Sequence, residues 1–178
     1  DEANATYTYG HISDWNVSLV TDMSQAFHEK TTFDENISGW DVSNVTDMER
    51  MFKGATSFNQ DIGDWNVSSA TDLGKMFQNA LAFNQPIDGW NTSSATDMNN
   101  MFNNAGNFNQ DISDWNVSAV TAMTNLFNVA SALSNAHKGE IQKSFSINPN
   151  WPYDWSEFVV YEPITDANFQ DAVNLWFS

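Results

Sequence analysis

The chain contains no cysteine. That removes disulfides, thiolate nucleophiles and zinc–thiolate sites together, and leaves the compartment open. Basic residues are scarce as well: Lys30, Arg50, Lys53, Lys75, Lys138 and Lys143 stand against 23 acidic residues, for a formal net charge of −17. So acidic a surface repels a nucleic-acid backbone and disfavours an anionic membrane surface. No apolar run approaches the length of a membrane span, so no membrane insertion is expected. The Asp-Glu-Ala-Asn start does not read as a signal peptide, and the sequence is expected to be a piece of a longer protein. Catalytic signatures are missing too. There is no G-x-S-x-G, H-E-x-x-H, Gly-rich phosphate loop or EF-hand loop, and His11, His28 and His137 lie far apart in sequence. The expectation is a protein that is not an enzyme.

What the chain has is a period. Tryptophan falls at Trp15, Trp40, Trp65, Trp90 and Trp115, a spacing of 25, with Ile12, Ile37, Ile62, Ile87 and Ile112 three residues earlier. Phenylalanine follows at Phe27, Phe52, Phe77, Phe102 and Phe127, and again at Phe33, Phe58, Phe83 and Phe108, with Leu133 in the fifth place. No insertion breaks the register, and a fixed period of this length means a solenoid. At 178 residues with 41% hydrophobic and 14% aromatic content, the chain can bury a sizeable core as one elongated domain.

Within a unit the pattern changes from strand-like to helix-like. Over 62–67, inward Trp65 and Val67 alternate with Asp64 and Asn66, the period of a short half-buried strand. In the neighbouring copy Val45, Met48, Met51, Phe52 and Ala55 form one apolar stripe of a helix, with Ser43 as its cap. Asp47, like Asp22, Asp72 and Asp97, falls in the first turn of that helix, where a carboxylate meets the positive end of the helix dipole and is structural. The fold class expected is therefore α/β, a solenoid of about five 25-residue strand–helix repeats resembling leucine-rich repeats. Residues 1–11 form an N-terminal cap, 12–133 the repeats, and 134–178 an aromatic C-terminal cap and helix. The threonine rank Thr21, Thr46, Thr71, Thr96 and Thr121 lies at the helix starts, which argues against an ice-binding face.

Three features outside the repeat core complete the reading. The turn Phe58-Asn59-Gln60-Asp61 recurs in later copies and stacks amides, which can satisfy loop backbone groups. Glycosylation sequons recur at Asn16, Asn36, Asn44, Asn66, Asn91 and Asn116 because the repeat recurs, and need no glycan. In the last segment, Trp151, Tyr153 and Trp155 form either a lid over the open core of the last repeat or a sugar or peptide platform. The stretch 165–177 reads as an amphipathic helix that docks on the core.

The strand's outward face offers a candidate site. Equivalent positions stack about 4.8 Å apart, giving one column of Asp14, Gly39, Asp64, Gly89 and Asp114 and another of Asn16, Asp41, Asn66, Asn91 and Asn116. Aspartate and glycine alternate in the first column, so like charges stand about 10 Å apart with gaps between them. A cation relieves the remaining repulsion, and Asp41 with Asp14 and Asp64 on either side offers three carboxylates for Ca2+. A solvated acidic surface also explains these residues.

The repeat I-x-x-W-[ND]-V-S-x-V-T-D-M-x-x-M-F-x-x-A-x-x-F-N-Q-D, over 9–133, resembles the BspA-type leucine-rich repeat of bacterial surface proteins. The fifth copy departs from it at Ala122 and Leu126. Similar repeats occur in large bacterial surface adhesins, including calcium-rich RTX adhesins, where such a module serves as a peptide-binding domain. The resemblance implies an extracellular module on the bacterial cell surface, monomeric within a larger adhesin, that captures the C-terminal end of a host or neighbour-cell peptide with calcium. Asp41, Asp14, Asp64, Asn91 and Asp114 would then hold metal or ligand, and Asn16, Asn66 and Asn116 would hydrogen-bond peptide backbone. The alternatives are a passive repeat spacer and a glycan-binding module using Trp151, Tyr153 and Trp155.

Overall fold

The computed structural model describes residues 2–177, with side chains described from Ala5 onward. α1 (Glu2–Tyr9) leads into a one-turn 3-10 segment (Ile12–Asp14); α2 (Asn135–Phe145) follows the repeats, then a second 3-10 segment (Ser156–Phe158) and α3 (Phe169–Trp176).

The 25-residue register holds, but the strand–helix unit does not. Among the described residues between Asp14 and Ser134 there is no helix and no sheet, only single parallel bridges joining Asp22, Asp47, Asp72, Asp97 and Ala122 in succession. The α/β class is thereby overturned. Its physical reason lies in the backbone around the supposed helix over 43–55. Arg50 and Gly54 both take left-handed backbone angles, with φ of 57° and 72°, as do Gln25 and Glu29, Lys75 and Asn79, Asn100 and Asn104, and Asn125 and Val129 in the other coils. A left-handed residue every fourth position cannot continue a right-handed helix. Gly54 takes that angle without strain, and a Cβ on it would stand 2.6 Å from the Glu29 carboxylate.

The backbone hydrogen bonds are divided accordingly. The N–H groups of Met48, Arg50, Phe52 and Gly54 donate to Asp72, Gly74, Met76 and Gln78 in the next coil, at 2.8–2.9 Å. Those of Met51, Lys53 and Ala55 donate three residues back within their own coil. The threonine rank ties coils in the opposite direction: the N–H and hydroxyl of Thr46 both donate to the Thr21 carbonyl. Each coil thus satisfies its backbone half locally and half through its neighbour, so one coil cannot stand alone.

The apolar residues expected inside are inside. Val45, Met48, Met51, Phe52 and Ala55 are fully buried, and Trp65 and Val67 alternate with exposed Asp64 and Asn66 as expected. Phe27, Phe52, Phe77, Phe102 and Phe127 stack ring on ring at 5.4–5.7 Å along the axis. Each of the middle three lies about 4 Å from the second phenylalanine of its own coil, as in Phe77–Phe83 at 4.0 Å. Complete burial of one such ring stabilises by about 1.5–3 kcal/mol. The tryptophan column adds a polar tie. Trp90 Nε1 donates to the carbonyl of Ile62 in the preceding coil at 3.0 Å, while the Trp65 N–H donates to the same carbonyl at 3.1 Å. The Ile62 carbonyl thereby uses both lone pairs.

The two ends differ. At the C-terminal end Trp151, Tyr153 and Trp155 pack against Phe127, and the buried Asn148 amide donates to the carbonyls of Val117 and Val120. The lid reading of these aromatics is the one the packing supports. At the N-terminal end a hollow of about 500 Å³, lined by Ile12, Trp15, Phe27, Phe33 and Trp40, stays open. The amphipathic helix expected over 165–177 appears as α3 but has no buried residue, so it does not dock on the core as expected.

Candidate ligand-binding face

Local turn chemistry positions the two outward columns. In the motif Asn/Asp-x-Ser, the side-chain Oδ1 of the first residue accepts the N–H of the serine two positions on, closing an Asx turn. This holds for Asn16 with Ser18, Asp41 with Ser43, Asn66 with Ser68, Asn91 with Ser93 and Asn116 with Ser118, at 3.0–3.2 Å. Ser43, expected as a helix cap, is instead the donor in this turn. The recurrence of the sequon pattern thus has a conformational cause.

All ten positions of the two columns are exposed. Among the described residues, the side-chain Nδ2 groups of Asn16, Asn66, Asn91 and Asn116 have no internal partner and are left to solvent or a ligand. Asp41 Oδ1 accepts both the hydroxyl, at 2.6 Å, and the N–H of Ser43, leaving its second oxygen outward. These bonds, the hydroxyl foremost, hold the Asp41 carboxyl below its ordinary pKa. Asp14 Oδ1 accepts from Ser13 Oγ at 3.2 Å. A Cβ on Gly39 or Gly89 would meet nothing within 4 Å, so the expected gaps beside the aspartates exist.

The structure places Asp14, Asp41, Asp64, Asn91 and Asp114 along one face but does not gather them. Among the described residues, no group of three or more histidine, cysteine or acidic side chains is spaced to hold a metal ion.

Carboxylates stand in adjacent coils at Asp22, Asp47, Asp72 and Asp97. Each accepts the N–H two residues on, at 2.7–2.8 Å, so they are structural as expected, though as turn acceptors rather than at a helix end. Burial raises the Asp72 pKa, and Asp97, Asp47 and Glu49 raise it further against the opposing Gly74 hydrogen bond. The stacked amides expected in the loops are present: the N–H groups of Asn59, Asn84, Asn109 and Ser134 each donate to the Oδ1 25 residues earlier, at 2.8–2.9 Å.

Sequence reasoning missed the role of Tyr153, whose hydroxyl caps the last coil at Phe127. Its aromatic neighbours were legible; a single phenol replacing a missing carbonyl left no pattern to find. The three histidines stay apart, each with its own local partner: Glu35 for His11, Glu29 for His28 and Asn109 for His137.

No curated protein and no solved structure matches the chain. The family model described as "Mycoplasma protein of unknown function, DUF285" matches residues 2–105 and again 70–148. That family is associated with BspA-like surface repeat proteins. With the matched segments together spanning residues 2–148, the whole repeat stack among them, the chain belongs to the DUF285 family.

Proposed function

We propose that this chain is a non-catalytic binding module of a bacterial surface adhesin, similar in role to the peptide-binding domains of RTX adhesins, that captures the end of a partner's peptide outside the cell. The observation that supports this most is the register of the exposed face. Asp14, Asn16, Asp41, Asp64, Asn66, Asn91, Asp114 and Asn116 repeat on a stack whose coils are tied to one another at equivalent positions. A peptide laid along the axis meets an outward amide or carboxylate at each coil, and the stack loses little conformational entropy in binding it.

Calcium enters as a divalent counter-ion that Asp14, Asp41, Asp64 and Asp114 would take singly, with water completing its shell. It would reduce the repulsion between a face of this charge and a peptide carboxylate. The glycan alternative has less support, because Trp151, Tyr153 and Trp155 are half-buried against Phe127, where they cover the end of the stack.

The test is an array of peptides with free or amidated C-termini, probed with the module in millimolar calcium and in chelator. Saturable signal confined to free C-termini with calcium supports the proposal. Silence in every condition from folded protein favours a passive spacer.

A further inference from the structure

We propose a second binding site, in the hollow between the last coil and the aromatic lid, that seats a carboxylate carried on a small apolar group without a metal. It stands apart from the Asp/Asn face and does not rest on that reading.

The site follows from where the hydrogen-bond ladder stops. Glu29, Gly54, Asn79 and Asn104 occupy one position in successive coils, and each N–H donates to a carbonyl of the next coil at 2.8–2.9 Å. Val129 is the fifth of this series, and no further coil supplies its acceptor. Its N–H, aimed past the end of the stack like those before it, has no partner among the described residues. Two coil positions earlier, Phe127 meets the same loss and is rescued by the Tyr153 hydroxyl at 2.8 Å. No residue does this for Val129.

Beside Val129 lies a hollow of about 280 Å³, with Leu133, Lys138, Tyr153 and Trp155 in its walls. Three residues that carry a donor line it. Besides the Val129 N–H there is the Lys138 ammonium, which has no carboxylate partner among the described residues. It is held 5.9 Å from the Trp155 ring centroid and 5.5 Å from that of Phe158. The third is the Tyr153 hydroxyl, which accepts from Phe127 and retains its own proton to give. Burial raises its pKa and keeps that proton on.

The charge of the surroundings points the same way. In a chain with 23 acidic residues and six basic ones, this hollow is lined by a lysine and by no aspartate or glutamate. An anion there meets local donors with no carboxylate in the lining, whereas the Asp/Asn face repels it. The remaining walls are mixed: Asn128 and Ser131 are polar, while exposed Val129, Leu133, and the Tyr153 and Trp155 rings stacked at 4.7 Å supply the apolar part. A carboxylate oriented toward Lys138 and the Val129 N–H leaves its apolar body against these rings. The hollow is slightly smaller than ordinary small-molecule pockets, so it suits a short ligand or the last residue of a longer one.

The ligand chemistry has two sources, a free aryl or branched carboxylate and the C-terminus of a peptide ending in such a residue. Titration of the full chain in chelator, followed by tryptophan fluorescence and calorimetry, would use 3-phenylpropanoate, its amide, and an acetylated peptide ending in Phe with a free or amidated terminus. The expected result is saturable binding of at least one free carboxylate. Amidation should abolish it, Lys138→Gln should weaken it at least tenfold with an unchanged Tm, and Lys138→Arg should restore it. Binding of 3-phenylpropanoate alone assigns the seat to small molecules; binding of the free-ended peptide extends it to chain termini. Absence of binding by both carboxylates, equal binding of the amides, or full binding by folded Lys138→Gln would overturn the proposal.

Discussion

The Tyr153 hydroxyl accepts the backbone N–H of Phe127 at 2.8 Å, taking the place of the carbonyl that a sixth coil would supply. Phe27, Phe52, Phe77 and Phe102 make the equivalent bond to Met51, Met76, Met101 and Leu126. A solenoid end exposes a row of backbone donors without a next-coil acceptor, and here one phenol from beyond the repeats closes one of the buried ones.

Replacing Tyr153 by Phe keeps the ring packing and strands the Phe127 N–H. Loss of about 1–3 kcal/mol is expected in urea denaturation, the range for leaving a buried group unpaired. A change below about 0.5 kcal/mol would show that water reaches that donor.

The tryptophan column makes a graded prediction. Trp90→Phe removes the buried bond to the Ile62 carbonyl, whereas Trp15→Phe removes a bond from an end-coil indole to the Gly10 carbonyl in an exposed setting. The first should cost about 2–3 kcal/mol and the second about 1 kcal/mol or less. Equal losses would mean that ring volume alone decides the cost.

Val129 occupies the left-handed region at φ 59°, where Asn79 and Asn104 stand in earlier coils. A β-branched residue is strained there. Val129→Asn should raise stability by about 1 kcal/mol, read as a higher denaturation midpoint at unchanged m-value. A lower midpoint would show that the Val129 side chain contributes packing that outweighs its backbone strain.

Asp72 gives a pH signature. Its carboxyl has a folded pKa above the ordinary 3.8, so the folded state holds that proton more tightly than the unfolded chain. The associated stability is fully present below 3.8 and is lost as pH rises through the raised folded value. Asp72→Asn keeps an oxygen for the Gly74 N–H and removes the repulsion from Asp47 and Asp97. The variant should melt higher than the parent at pH 7, with the difference shrinking as pH falls through the raised folded pKa toward 3.8. A constant difference across that range would assign the effect to something other than charge.

The register and the core were readable before any coordinates, because Trp15 to Trp115 and Phe27 to Phe127 recur without a slip. Local geometry was harder to read. Val45, Met48, Met51, Phe52 and Ala55 make one apolar stripe whether the backbone is a helix or a run of turns, and apolar periodicity cannot separate the two. The distinguishing residues are the left-handed ones. Gly54, Asn79, Asn100, Asn104 and Asn125 carry that signal, but Gln25, Glu29, Arg50, Lys75 and Val129 do not, so the four-residue spacing is masked. Exposure of the Asp14 and Asn16 columns was legible from alternation. That Asn16 and Asp41 each hold a serine two residues on was written in the Asn/Asp-x-Ser pattern, which equally spells a sequon. That Asp14, Asp41 and Asp64 stand along one face without forming a group of three depends on turn geometry, which spacing does not reveal.

The most direct measurement of the proposed binding face compares wild type with a variant carrying Asp41→Asn, Asp64→Asn and Asp114→Asn. The ligand would be the tightest free-ended peptide from the array, with calcium present. Asn at Asp41 keeps the turn acceptor for Ser43, so circular dichroism and Tm should match wild type while peptide affinity falls at least tenfold. Unchanged affinity in the folded triple variant would contradict the assignment of capture to this face.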